Sequence, residues 1–278
     1  MHLIDIHTHL IPYAEASGYP RSVTPDELIA AMDAWDIAKA VVLPLESPEC
    51  DAEYALSAQT WELCTQFPDR LIAFVGVDPR HQRALDKIRH YHQLGVKGYG
   101  EHKCGLAIDD PRSMRVYDLC GELGLPVLFH MDPDLNWDEE GLPRLQRVLQ
   151  AMPNTIFIGH GPNFWSAISE DDARAGGYPS GPVKPGGALD RLLAGFPNLY
   201  ADISAGSGHN ALTRDPAFTQ GFLERHWRKL LFGTDFFNVD QEVPQPEWIR
   251  SHPMPEEWRS AIGAENARQV IALPAAAR

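Results

Sequence analysis

The stretch PVLFHMDPDLNWDEEGLPRLQRVLQAMPNTIFIGH, residues 126–160, contains one complete repeat of the pattern that governs this chain. It begins and ends with short, nearly continuous apolar runs, 126–131 and 155–160, which are typical of parallel strands buried on both faces. Between them, apolar residues recur at the helical spacing i, i+3, i+4, i+7, namely Leu145, Val148, Leu149 and Met152. The stretch therefore predicts a strand, a helix and a second strand parallel to the first.

The same alternation of apolar runs and amphipathic segments extends over the rest of the chain. Six further runs are predicted as strands, at residues 2–7, 39–45, 71–77, 96–101, 198–204 and 229–235. Helical spacing recurs between them, for example at Leu28, Ala31, Met32 and Trp35. Eight strands alternating with helices predict an α/β protein, and in 278 residues the natural closed form is a (β/α)8 TIM barrel. An open, doubly wound sheet fits the same alternation.

Two segments depart from the alternation, and neither divides the chain. Residues 161–187 are rich in Gly and Pro, so we expect a long loop there. Residues 243–255 are rich in Pro and lead to a terminal helix predicted near 263–273. Because no linker or shift of composition separates two parts, we interpret residues 1–278 as a single domain with a C-terminal helical extension.

The composition limits the classes of partner. The chain has 44% hydrophobic and 22% charged residues and a formal net charge of −14. Such an acidic balance disfavours nucleic acid and anionic membranes, and the sequence has neither an apolar run of about 18 residues nor a signal-peptide pattern. Its four cysteines lack paired spacing, and Cys64 and Cys120 lie on apolar helix faces where burial is expected. We therefore expect a cytoplasmic protein with a small-molecule substrate, and the sequence leaves a homo-oligomer open.

Two H-x-H pairs occur in the chain, and their contexts differ. His7 and His9 stand at the end of the first predicted strand, where residues two apart project to the same side. His90 and His92 stand in a predicted helix, where residues two apart do not face each other. The first pair is therefore the candidate for chelating a metal ion.

Other strand ends carry residues that can bind metals. Glu101 stands at the end of the fourth predicted strand, His130 at the end of the fifth, His160 at the end of the sixth and Asp235 at the end of the eighth. Each alone has an ordinary structural explanation, such as a hydrogen-bonded histidine or a capping acid. Together they would meet at the carboxyl ends of the strands, where barrel enzymes build their sites. Imidazole and carboxylate are ligands of zinc, manganese and iron.

The motifs DIHTHL, GYGEHK, VLFHMD, FIGHGP, LLFGTDF and the terminal GAENARQVI resemble those of the amidohydrolase superfamily of metal-dependent TIM-barrel hydrolases over most of the chain. The resemblance implies that the catalytic metal is bound by His7, His9, His130 and Asp235. It further implies that His160 binds a second metal or polarises the substrate. Glu101, in a Gly-Glu pair, resembles the strand-four glutamate of TatD-type nucleases, although the chain is more similar to the amidohydrolase-related branch.

The resemblance implies a hydrolase that uses a metal-activated water on a small-molecule amide, ester or lactone. A metal-dependent nonoxidative decarboxylase of the same superfamily is the alternative. A TatD-like phosphodiesterase or nuclease and a barrel that binds metal or ligand without catalysis are less favoured. Zinc is the expected cofactor, with one or two ions per chain, and manganese or iron would accept the same ligands.

Individual roles follow from this interpretation. Asp235 would transfer the proton of the water, and His160 would stabilise the developing negative charge. Lys103 is the candidate for binding an anionic group of the substrate, and a surface lysine is the alternative reading. Aromatic residues after strand ends would line an apolar pocket or pack in the core: Trp165 and Phe236 as substrate-binding candidates, with Trp137, Phe164 and Phe237.

Overall fold

The computed structural model describes residues 2–11, 22–172 and 178–273, without the side chains of 51–53. All eight predicted strands are present: β1 (Leu3–Thr8), β2 (Ile37–Val42), β3 (Leu71–Ala73), β4 (Tyr99–His102), β5 (Val127–His130), β6 (Phe157–His160), β7 (Leu199–Asp202) and β8 (Leu230–Leu231). Most are shorter than the apolar runs that predicted them. The runs report burial rather than pairing, since Val75, Val77 and Phe232 are buried beyond the ends of their strands.

The strands run parallel and close into a barrel. Regular pairing follows the order β1-β2-β3 and, separately, β4-β5-β6-β7-β8. The two sheets are joined on one side by the Gly100 N–H, which donates to the Val75 carbonyl at 2.9 Å. On the other side the Asp235 N–H donates to the His7 carbonyl at 2.8 Å. The fold is therefore the predicted TIM barrel and not an open sheet.

The helices between and after the strands are α1 (Pro25–Ala34), α2 (Ser57–Thr65), α3 (Ala84–Gln93), α4 (Pro111–Leu123), α5 (Pro143–Ala151), α6 (Pro162–Ser166), α7 (Ala188–Gly195), α8 (Ala205–Thr213), α9 (Pro216–His226), α10 (Gln245–Ser251), α11 (Glu256–Ser260) and α12 (Asn266–Val270). Short 3-10 helices span Pro48–Glu53 and Trp227–Lys229, and a π-helical turn spans Ala261–Glu265. In the described part of the chain, none of these helices has the length and hydropathy of a membrane-spanning segment.

Both segments that depart from the alternation contain a helix. The Gly- and Pro-rich stretch 161–187 opens with α6, and its residues 173–177 lie outside the described ranges. The Pro-rich stretch 243–255 contains α10. In both cases a proline occupies the first turn, where its missing N–H costs no hydrogen bond and its fixed φ suits a helix. Proline at these positions marks the start of a helix, so the prediction of a loop over all of 161–187 was wrong at α6.

Two apolar clusters stabilise the barrel. The larger joins the strands to the surrounding helices and includes Cys64 and Cys120, which are buried as expected. The smaller combines strand residues, such as Ile4 and Ile158, with Ala267 of α12 and its neighbours. The C-terminal helical segment is therefore packed against the strands. It was predicted near 263–273, and in the structure the helical segment begins earlier, with α11 at Glu256, and α12 ends at Val270.

Candidate metal centre

Six side chains predicted as metal ligands converge at the carboxyl ends of the strands, coming from five of them: His7, His9, Glu101, His130, His160 and Asp235. Four of the six residues are at most 4% exposed, whereas the side chains of His130 and Asp235 are 13% and 19% exposed. The centre is thus shielded from bulk water and open on one side. The structure brings the six together, and their role as ligands stays a prediction.

The first group of donors surrounds the H-x-H pair. The Nε2 atoms of His7 and His9 are 3.0 Å apart. Asp235 Oδ1 lies 3.3 Å from the first and 3.4 Å from the second. Glu101 Oε2 lies 3.5 Å from His9 Nε2 and 3.9 Å from His7 Nε2. We call these four residues the His7 group.

The second group lies on the other side of Glu101. Glu101 Oε1 is 3.1 Å from His130 Nδ1, and donor atoms of Glu101, His130 and His160 all lie within 4.8 Å of one another. His130 and His160 are paired in the register of β5 and β6, which aligns their side chains at the same height of the barrel. We call these three residues the His130 group. The two groups share the Glu101 carboxylate.

Each histidine of the H-x-H pair has its second ring nitrogen on a fixed acceptor. His9 Nδ1 donates to the Leu43 carbonyl at 2.9 Å, and His7 Nδ1 donates to Asp202 Oδ2 at 2.7 Å. A carbonyl accepts only, and so does an ionised carboxylate, so these partners assign the proton to Nδ1. In the neutral rings the Nε2 lone pairs therefore point at each other and at Asp235, an arrangement typical of metal ligands.

The other two histidines are held in the same way. Ser204 Oγ donates to Asp202 Oδ2 at 2.7 Å, so it accepts from His160 Nδ1, which is 3.0 Å away. His160 Nε2 is thereby left facing Asp235, whose Oδ2 is 3.9 Å away. His130 donates through Nε2 to Asp132 Oδ2 at 3.0 Å, which leaves Nδ1 towards Glu101.

The electrostatics of the centre favour a cation in each group. Burial would lower the pKa of His7, but the charges of Asp235, Asp202 and Glu101 outweigh it and raise that pKa to about 10. Burial also opposes protonation of His130, and hydrogen bonds to Asp132 and Glu101 raise its pKa nonetheless. The protein thus stabilises positive charge at one imidazole of each group. Four imidazoles and two carboxylates with this electrostatic balance fit divalent metal ions.

Asp202 was not among the site residues predicted from the sequence. It ends β7, is fully buried, and accepts hydrogen bonds from His7 and His160, one histidine from each side of the centre. Burial would raise its pKa, but these hydrogen bonds hold that pKa well below the usual range. Gly233 makes room for it, because a Cβ there would lie 2.4 Å from Asp202 Oδ1. A carboxylate at the end of an apolar strand was the available signal.

Asp5, the first residue of the motif DIHTHL, was also not predicted to belong to the site. Its Oδ1 accepts from the backbone N–H groups of His7 and Thr234, both at 3.0 Å, and its Oδ2 accepts from Thr234 Oγ1 at 2.6 Å. Burial raises the pKa of Asp5 to about 7 against these hydrogen bonds. Asp5 therefore ties β1 to the segment after β8, and so holds His7 near Asp235.

A small cavity of about 50 Å³ opens onto the centre. It is lined by His9, Ile11, Leu45, Glu101, Lys103, His130, Asp235 and Phe237. Among these, Lys103 is the lysine predicted to bind substrate, and its charge lowers the pKa of Glu101 against the opposing effect of burial. The structure therefore brings Lys103 to the cavity beside the metal centre.

The two aromatic residues predicted to bind substrate lie in the core. Trp165 is 1% exposed, and its Nε1 donates to the Asp202 carbonyl at 2.9 Å, behind the centre. Phe236 is 5% exposed and packs edge-on against Trp35, with ring centroids 5.1 Å apart. Phe237, the next residue, lines the cavity instead. The sequence alone does not tell which of these aromatic residues lines the cavity and which lies in the core, because adjacent side chains after a strand point in different directions.

Comparison with known proteins gives the family. A family model described as Amidohydrolase matches residues 4–273. A search of the curated proteins gives no match. Among solved structures, an uncharacterized TIM-barrel protein from Bordetella bronchiseptica superposes with a TM-score of 0.68 at 15% identity, covering 98% of this chain and 99% of that one.

Two further structures contain metals. An amidohydrolase from Burkholderia multivorans with bound zinc has a TM-score of 0.67 at 17% identity, covering 99% of this chain and all of that one (100%). A dihydroxybenzoic acid decarboxylase from Polaromonas sp. JS666, with bound manganese and the inhibitor 2-nitroresorcinol, has a TM-score of 0.61 at 17% identity, covering 98% and 97%. Together with the family match over nearly the whole chain, the barrel and its cluster of histidines and acids identify the protein as a member of the amidohydrolase family.

Proposed function

We propose that the protein is a metal-dependent hydrolase that acts on an amide, ester or lactone of a small molecule. The observation that carries this proposal is the position of Glu101, whose two oxygens belong to different donor groups. Oε2 lies 3.5 Å from His9 Nε2, and Oε1 lies 3.1 Å from His130 Nδ1. A carboxylate in this position suits a bridge between two metal ions.

Two bound ions would supply Lewis acidity, since they lower the pKa of water towards about 7 and polarise the oxygen of the bond under attack. The residues of the His7 group would hold one ion, and those of the His130 group the other. This donor set, rich in imidazole, favours zinc, with manganese and iron as alternatives. The proposal is thus two zinc ions per chain.

Asp235 is the proposed proton carrier. Its Oδ1 faces the H-x-H pair, while its Oδ2 is turned towards His160 Nε2 at 3.9 Å. A carboxylate with one oxygen on each side of the reaction site is suited to accept a proton from water and return it to the leaving group. His160, aligned by Ser204 and Asp202, would stabilise the negative charge that develops on the substrate.

The cavity favours a small anionic substrate. Lys103 is the lysine among its described lining residues, and Ile11, Leu45 and Phe237 supply apolar walls. A lysine beside such a centre can bind a carboxylate or phosphate of the substrate. A polyanionic chain such as nucleic acid is disfavoured by the net charge of −14 and by the small volume of the cavity.

The experiment is a substrate panel with product analysis. Metal-replete protein is assayed on esters, lactones, amides, phosphodiesters and hydroxybenzoates, and products formed in ¹⁸O-labelled water are analysed by mass spectrometry. The proposal predicts that one oxygen atom from water enters the product. Turnover that releases carbon dioxide without incorporation of ¹⁸O would contradict it, and inactivity on every class would favour a barrel that binds without catalysis.

A metal-dependent decarboxylase is the second candidate. It is supported by the similarity to the manganese-containing decarboxylase from Polaromonas and by Lys103, which can hold the carboxylate that such a substrate must carry. The two candidates make opposite predictions about water, because decarboxylation releases carbon dioxide and adds no oxygen. The ¹⁸O measurement therefore separates them.

A further inference from the structure

Two segments that follow ligand-bearing strands run side by side above the barrel. The segment after β4 and the segment after β5 are joined by backbone hydrogen bonds, including the Trp137 N–H to the Leu106 carbonyl at 3.1 Å. Asn136 lies where these segments meet the strand ends. It is fully buried, with 0% exposure.

The Asn136 side chain connects the ends of the two strands. Its Nδ2 donates to the His102 carbonyl at 2.5 Å and to the His130 carbonyl at 2.9 Å. His102 directly follows Glu101 in β4, and His130 is itself a predicted ligand. One amide group therefore fixes the spacing between the backbone of the Glu101 strand and the backbone of His130.

The side-chain oxygen and the backbone N–H of Asn136 also form hydrogen bonds, both with Cys104. Its Oδ1 accepts from Cys104 Sγ at 3.3 Å, and its backbone N–H donates to the Cys104 carbonyl at 2.9 Å. Its φ of +43° lies in the left-handed region, which Asn and Asp tolerate better than most residues. Position 136 therefore requires a residue that accepts this conformation and donates two hydrogen bonds from its side chain.

Of the two residues that Asn136 connects, His130 belongs to the His130 group only, whereas Glu101 is shared by both groups. Glu101 and His130 supply two of the three residues of the His130 group, whereas the other three residues of the His7 group, His7, His9 and Asp235, come from β1, the residue after it and the segment after β8. A shift of β4 relative to β5 would alter the 3.1 Å separation of Glu101 Oε1 and His130 Nδ1. The same shift would leave the 3.0 Å pair of Nε2 atoms in place.

We propose that Asn136 is the positioning residue of the second metal site, and that it sets the affinity of the His130 group for its ion, with a smaller effect on the His7 group, three of whose four residues lie elsewhere in the barrel. This inference rests on the proposed two-ion centre. Residues that orient metal ligands from behind typically alter metal affinity about 10- to 100-fold when they are replaced.

The test compares two matched asparagine variants in the full chain. Asn136→Asp keeps the size and the left-handed conformation but removes the two N–H donors. Asn266→Asp is the control, because Asn266 Nδ2 also donates to two buried carbonyls, those of Trp227 and Leu230, both at 2.8 Å and both away from the centre. Asn136→Gly, which removes the side chain but tolerates the backbone, guards against compensation by the new carboxylate.

Metal-free protein is titrated with Mn²⁺, and binding is followed by calorimetry and by the paramagnetic resonance signal of a coupled pair of ions. For Asn136→Asp and Asn136→Gly we expect the second ion to bind about 10- to 100-fold more weakly, the pair signal to be lost and the first ion to lose much less affinity than the second. Asn266→Asp should lower the Tm and keep both ions.

Three results would overturn the proposal. Unchanged binding of the second ion in both Asn136 variants would refute it while leaving the two-ion centre intact. An equal loss of the second ion in Asn266→Asp would assign the effect to general destabilisation. A wild-type protein that binds a single Mn²⁺ would refute the two-ion centre itself, and with it the role of Asn136.

Discussion

The two H-x-H pairs of this chain have the same letters and opposite environments. His7 and His9 end a buried strand, are at most 3% exposed and bring their Nε2 atoms within 3.0 Å of each other. His90 and His92 stand in the last turn of α3, where His90 is exposed and His92 is half-buried. What distinguishes a metal-binding pair is therefore the geometry of the backbone beneath it and the partners of each ring.

The partners make the difference concrete. Both rings of the strand pair have their Nδ1 on a fixed acceptor, Leu43 or Asp202. The helix pair has no such support among the hydrogen bonds described, and α3 separates residues i and i+2 by about 200° around its axis. Spacing alone thus carries little information, and each comparison below pairs a residue of the centre with a chemically similar residue elsewhere.

The largest effect is expected when each pair is replaced by alanine. His7→Ala with His9→Ala removes both ring nitrogens of the His7 group, so we expect loss of tightly bound metal and a fall in kcat/KM of at least about 1000-fold. His90→Ala with His92→Ala should leave both quantities within about twofold of the wild type. Elemental analysis and steady-state kinetics measure them. Substantial activity in the first variant after chelation would refute metal dependence.

The second comparison concerns two aspartates that accept hydrogen bonds from histidine. Asp202 orients His7 and His160 in the centre, and Asp190 accepts from His226 Nε2 at 2.5 Å on the outer helices. We expect Asp202→Asn to weaken metal binding about 10- to 100-fold, because the amide no longer favours the required protonation of both rings. Asp190→Asn should reduce stability alone.

Competition with a metal-sensitive dye measures the affinity of both variants, and thermal unfolding in excess chelator measures their stability. The interpretation of Asp202 would be wrong if both variants lost metal to the same extent, or if Asp202→Asn bound metal as tightly as the wild type.

The third comparison concerns two lysines. Lys103 lines the cavity, whereas Lys184 is an exposed residue of the long stretch after β6, where its Nζ pairs with Asp171 Oδ2 at 2.9 Å. Lys103→Met should lower kcat/KM for anionic substrates about 10- to 100-fold, the value of a lost charge-assisted hydrogen bond, and should affect uncharged analogues less. Lys184→Met should behave as the wild type. An equal effect of Lys103→Met on charged and uncharged substrates would exclude its binding an anionic group.

The smallest effect is expected at the start of α1. Thr24 Oγ1 accepts from the Glu27 N–H at 3.3 Å, and Glu27 Oε2 accepts from the Thr24 N–H at 3.0 Å, and these two hydrogen bonds form a capping box. Thr24→Ala should cost about 1 kcal/mol of unfolding free energy. Denaturant unfolding measures this, and metal content should not change. A loss of metal would mean that the centre depends on distant helix stability.

The strand order, the barrel and the position of the ligand candidates could be predicted from the sequence because they depend on local patterns. Apolar runs indicate burial, and the last residue of a parallel strand necessarily lies at the carboxyl edge of the sheet. His130 and His160 illustrate this, since each is the last residue of its strand and the register pairs them. Such positions need no knowledge of contacts between distant segments.

The support of the centre could not be predicted in this way. Asp202 meets His7 across 195 positions of sequence, and Asn136 acts through backbone carbonyls, which no sequence pattern marks. The directions of the Trp165 and Phe236 side chains also depend on packing. Adjacent residues after a strand point in different directions, so a shift of one position decides whether an aromatic side chain lines the cavity or lies in the core. These contacts are set by the closed barrel as a whole.

The most direct test of the central claim is the number of metal ions per chain, measured by elemental analysis after saturation with Zn²⁺ and removal of the excess. The Glu101 carboxylate between the His7 group and the His130 group predicts two ions in the wild type and one in Glu101→Gln. One ion in the wild type, with the same content in Glu101→Gln, would contradict the account.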